Sequence, residues 1–128
     1  MERLRVNFWV ICDEVRREDN GKLFFIGVYG SSIVVHVVPT TLMLWIALSM
    51  KVEEAGLFPI EIRALFNDET IQSGKGEVKF ESSGVHFTAI PNMLIRDIKD
   101  EGTLEFQIRS QGDEDWQTAA RIPVVLKT

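Results

Sequence analysis

Residues Thr41 to Val52 alternate with a period of two over a full dozen positions. Leu42, Leu44, Ile46, Leu48, Met50 and Val52 point one way; Thr41, Met43, Trp45, Ala47, Ser49 and Lys51 point the other. Successive side chains of a strand lie on opposite faces, so this run is a strand with one face in a core. Wound as a helix, the same six apolar residues would scatter around the cylinder. The pattern recurs. Phe58, Ile60, Ile62, Ala64 and Phe66 alternate with Glu61 and Arg63, and Leu104, Phe106 and Ile108 with Thr103, Glu105, Gln107 and Arg109. The last strand is expected to bury Trp116, Thr118, Ala120, Ile122, Val124 and Leu126. Pro123 on its other face suggests an edge.

The remaining segments read less cleanly. Leu4, Val6, Phe8, Val10 and Cys12 form the core face of a first strand, with Arg5, Asn7, Trp9, Ile11 and Asp13 outward. Asn20-Gly21 is a hairpin signal. The return strand 22–29 is apolar on both faces, as a central strand is, or one covered from outside. Ile33 to Val38 is β-branched apart from His36 and is ended by Pro39, and Ser73-Gly74-Lys75-Gly76 reads as a bulge or kink. Asn92 to Glu101 fits either a short helical turn or a crossover between sheets. Eight or nine short strands with turns between them predict an all-β antiparallel sandwich, one domain over 1–128, from which a closed barrel is not distinguished by pattern.

At 128 residues the chain is long enough for a core without disulfide or metal staples. Nineteen acidic against 14 basic residues give a net charge of −5, which argues against a nucleic-acid partner. Cys12 is the only cysteine, so no intrachain disulfide forms. The first residues carry no apolar signal core, and the run Leu42–Leu48 is too short to span a bilayer. The expectation is a cytoplasmic protein with no membrane partner.

The stretches Ile11-Cys12-Asp13-Glu14-Val15-Arg16, Asn20-Gly21-Lys22 and Ile26-Gly27-Val28-Tyr29 resemble the opening of a family of small uncharacterised bacterial proteins of about this length. That resemblance implies bacterial origin and no assigned activity. Val85 to Leu126 also resembles the last three strands of an immunoglobulin-like sandwich, without its paired cysteines or tyrosine corner. This implies fold alone.

Motifs for chemistry are sparse. A pairing of Cys12 with His36 or His86 would make a thiolate–imidazole couple, but a cysteine on an apolar strand face is expected to be buried and inert. Ser31-Ser32 and Ser82-Ser83 lack the nucleophile-elbow spacing, and no metal-ligand spacing links the two histidines. No catalytic residue, cofactor or metal is assigned, and the chain is read as non-enzymatic. Two functional readings follow. In the first, Trp9, Ile11, Met43 and Trp45 face outward on neighbouring strands and form an apolar interface for a homo-oligomer or a protein partner. In the alternative, the acidic loops holding Asp97, Asp100, Asp113 and Asp115 bind calcium or a carbohydrate.

Overall fold

The structure is a computed structural model that describes residues 4–128. Nine strands follow one another: β1 (Leu4–Arg17), β2 (Leu23–Val28), β3 (Ile33–Val35), β4 (Thr40–Val52), β5 (Gly56–Phe66), β6 (Glu69–Phe80), β7 (Gly84–Ile98), β8 (Gly102–Ser110) and β9 (Gln117–Leu126). They form a four-stranded sheet, β2-β1-β4-β7, packed on a five-stranded sheet, β3-β9-β8-β5-β6. All pairings are antiparallel except β3 with β9. Among the described residues there is no helix, so none is long and apolar enough to cross a membrane.

The all-β sandwich is as the alternation requires. Leu44, Ile46, Leu48 and Met50 of β4 meet Ala64, Leu104, Phe106 and Ile108 of the opposite sheet, all of them fully buried. Turn chemistry closes the hairpins. Asn67 and Asp68 both take positive φ in a two-residue β5–β6 turn, where short polar side chains tolerate that conformation. In the β1–β2 turn the Gly21 amide donates to the Glu18 carbonyl, and of Asn20 and Gly21 only Gly21 has positive φ.

Four departures from strict alternation correct the reading above. In β1, Val6 pairs with Met50 but Phe8 with Ser49, so Asn7 is an extra residue. A single bulge moves every later side chain to the other face. Trp9 and Ile11 therefore point into the inter-sheet core, and Phe8, Val10 and Cys12 point out. In β7 the register slips at Asn92 and again at Asp97, both at positive φ. Ile90, Met93, Ile95 and Ile98 then all face the core, so 92–98 belongs to one long strand and is neither a helical turn nor a crossover. In β9 Ala119 is the extra residue, which turns Thr118 outward. Trp116 precedes the strand and lies on the outer face between Arg63 and Arg109. In β6 the bulge is at Ile71, and Ser73 to Gly76 pair with β5 without a break. Pro123 does lie beside a mostly free margin, since β3 covers only Val124–Leu126 of β9.

Candidate functional site

Strand β1 serves two partners. Its first part, to Cys12, pairs with β4; from Cys12 onward it pairs with β2. Between the two halves Gly27 takes φ 69°, and a Cβ at that position would run into the Asp13 carboxylate. That carboxylate accepts a hydrogen bond from the Tyr29 hydroxyl at 3.0 Å, and the Tyr29 amide donates to the Ile11 carbonyl. The hairpin beyond this point bends over the outer face of its own sheet. Phe25 on β2 and Phe87 on β7, from opposite margins of the sheet, have ring centroids only 5.7 Å apart.

Under the hairpin lies a second apolar cluster, separate from the main core. Val10, Cys12, Val15 and Ala47 are buried there, with Leu23, Phe25, Trp45 and Ala89 packed against them. This explains why β2 is apolar on both faces. It is not central: Leu23 and Phe25 cover the cluster, while Phe24, Ile26 and Val28 face solvent. Cys12 is completely buried, its thiol donating to the Glu14 carbonyl at 3.4 Å, and burial, with the Asp13 charge as a smaller contribution, pushes that thiol above the ordinary range. Tyr29 is likewise raised, first by burial and then by its bond to Asp13.

The uncovered part of this face is aromatic. Phe8 is 55% exposed and Phe87 43%, their rings edge to face at 6.5 Å. Val85 and Met43 are also exposed. A groove of about 610 Å³ runs between the hairpin and β7, with Leu23, Phe25, Val85 and Phe87 on its walls and Arg17 and Lys22 at its rim. A second, of about 450 Å³, separates Phe8 from Val28 and Tyr29.

The sequence-derived candidates divide. β1 and β4 are neighbours, as the interface reading required, but Ile11 is fully buried and Trp9 is packed against the main core. Met43 is on the outside, and Trp45 is half-buried against the hairpin's cluster. Phe8, Phe25 and Phe87 were missed; the doubly apolar β2 was the available signal. The acidic candidates are split by the length of β8, Asp97 and Asp100 before it and Asp113 and Asp115 after it. Asp100 and Glu101 bond backbone amides of Glu101 and Leu126. Among the described residues no three His, Cys, Asp or Glu side chains are grouped to hold a metal ion. His36 and His86 each bond a backbone carbonyl, His86 packs tilted against Phe80, and neither is among the residues packed with Cys12.

The outer face of the five-stranded sheet is built otherwise. Arg63 Nε donates to Gln107, and Gln107 and Thr118 donate to Glu105, each within 2.8 Å. Arg109 Nε donates to Glu61 at 2.8 Å, and both guanidinium groups lie 4.2 Å from the Trp116 ring centre. Burial would raise the Glu105 carboxyl, but the bonds from Gln107 and Thr118, with the charges of Arg121 and Arg63, outweigh it and hold it below its ordinary range.

A family model matches residues 7–125, nearly the whole of this fold. The chain belongs to the family of unknown function DUF6941. No curated protein matches it. The match takes in the hairpin with its Gly27 bend, both grooves and the polar ladder, so these are features of a family member and not of an appended segment.

Proposed function

We propose that this DUF6941 member is a non-enzymatic protein-interaction module, and that it docks its partner on the outer face of the four-stranded sheet. The carrying observation is the pair of grooves flanking Phe8, Phe25 and Phe87: one lined by Leu23, Phe25, Val85 and Phe87 with Arg17 and Lys22 beside them, the other by Phe8, Val10, Val28 and Tyr29. Exposed, contiguous aromatic surface of this kind marks interfaces on soluble domains. Its complement is a protein segment with apolar side chains for the groove and a carboxylate for the rim. The reading without catalysis is supported by the buried state of the single thiol and the backbone-bonded state of both histidines. A bacterial, cytoplasmic setting and an immunoglobulin-like lineage belong to this proposal as expectations of the sequence. No observation favours the acidic loops as a ligand site.

The test is native mass spectrometry of the protein isolated gently from its own host, beside Phe87→Ser and Lys22→Glu variants. A defined heteromeric mass that both variants lose is the expected result. A heteromer indifferent to both substitutions, or no heteromer at all, overturns the assignment.

A further inference from the structure

A sandwich has exposed sheet margins, and natural proteins blunt them with short strands, bends, prolines or bulges. Three margins here are blunted. β3 is three residues long, β2 is bent at Gly27 and folded inward, and β7 carries Pro91 and two bulges. The fourth, β6, is not. From Gln72 to Phe80 it pairs with β5 without interruption, contains no proline, and among the described residues has no strand on its other side. Gly74 and Gly76 are exposed, and a Cβ at either would meet nothing within 4 Å.

The side chains beside this margin alternate in sign. Lys75, Glu77 and Lys79 of β6 share the outward parity, and Glu81, just past the end of the strand, lies within 3.5 Å of Lys79 on the same side, while Gly74, Gly76, Val78 and Phe80 face the core side. Among the described residues Lys75 and Glu77 form no ion pair, and Lys79 meets Glu81 only in a fully solvated contact at 3.5 Å. A strictly alternating row is self-complementary when inverted. We propose that this chain forms a two-fold homodimer by antiparallel pairing of β6 with β6 of a second copy, with the axis at Val78.

The register follows from the charges, because residues directly opposite on one face interact most strongly. With the axis at Val78, Glu77 faces Lys79 of the second copy and Lys75 faces its Glu81, each twice. With the axis at Lys75, Glu77 or Lys79, like charges face each other. With the axis at Gly76 or Phe80, half of the attractive pairs are lost. The Val78 register also sets Gly76, which has no side chain, opposite Phe80 of the second copy. The two five-stranded sheets then join into one. This surface belongs to the other sheet from the aromatic grooves and does not depend on them.

Sedimentation equilibrium and native mass spectrometry of the full chain test the proposal, with Lys79→Glu, Glu77→Lys and the double exchange E77K/K79E. Wild type is expected at twice 14.6 kDa at micromolar concentration. Each single reversal places like charges opposite one another twice and is expected to weaken the dimer about tenfold or more. The double exchange restores all attractive pairs in the Val78 register alone, since the Gly76 and Phe80 registers then oppose like charges; dimerisation is expected to return. Phe87→Ser leaves the dimer intact. A monomeric wild type, single reversals that stay dimeric, or a double exchange that fails to recover while circular dichroism shows it folded, each overturns the proposal.

Discussion

The outer face of the four-stranded sheet presents Phe8, Val10, Cys12, Trp45, Ala47 and Phe87; that of the five-stranded sheet presents Glu61, Arg63, Glu105, Gln107, Arg109 and Thr118. Both sheets spend their inner faces on one core. What remains outside is handled differently. The polar face satisfies itself: its donors and acceptors bond one another across β5, β8 and β9, and Trp116 is enclosed between two guanidinium groups. The apolar face has nothing to exchange within the plane, so the chain bends a hairpin over part of it and leaves the rest as aromatic surface. A face whose hydrogen bonds are internally complete offers a partner little, whereas uncovered apolar area is still available for burial.

If the hairpin is a structural cover, its removal should be the most costly change. Phe25→Ala is expected to lower unfolding free energy by about 3 kcal/mol, read from the urea midpoint, and to make Cys12 reactive toward a thiol reagent that native protein resists. A variant that keeps both stability and a protected thiol would show the cover to be ornamental. On the polar side Glu105→Ala leaves the two donors of Gln107 and Thr118 short of an acceptor and is expected to cost about 1–3 kcal/mol. The same carboxylate gives a pH signature. Because its folded pKa is depressed, its contribution is complete above the ordinary glutamate value of about 4.3 and disappears as pH falls through the lower folded value. Urea midpoints at pH 7 and pH 3 should therefore lie closer together in Glu105→Gln than in wild type, because the variant loses less stability on acidification. Trp116→Ala removes two stacked cations and is expected to cost about 1–2 kcal/mol, less than Phe25→Ala despite the larger ring. The smallest effect belongs to the exposed Arg16–Glu14 pair on the hairpin, where Arg16→Ala should change the melting temperature by no more than scatter.

What the sequence disclosed depended on whether a strand kept its frame. β4, β5 and β8 alternate without interruption on their core side, and Leu44, Ile62 and Phe106 all lie where the period puts them. β1, β7 and β9 each carry an extra residue that composition does not announce. Asn7 and Ala119 are ordinary strand occupants by type, and Asn92 and Asp97 reach positive φ without glycine. The core spacing of 90, 93, 95 and 98 then imitates a helix. The candidate site was half legible for the same reason. Met43 and Trp45 follow the frame of β4, but Asn7 exchanges Trp9 and Ile11 for Phe8 and Val10, and no local pattern tells that a hairpin bends back over its own sheet.

Asn7 acts on β1 as an inserted letter acts on a reading frame. Its removal would leave a plain ladder, Val6 against Met50 and Phe8 against Ser49, with Trp9 and Ile11 still inside, whereas a residue added between Trp9 and Ile11 would put those two on opposite faces. The spacing from Phe8 to Cys12 is thus held more tightly than the presence of Asn7, while the turns at 18–21 and 111–115 are free to grow or shrink. Divergence among relatives built on this plan should be written in the turns and at the Asn7 bulge, with the count of residues from Phe8 to Cys12 unchanged.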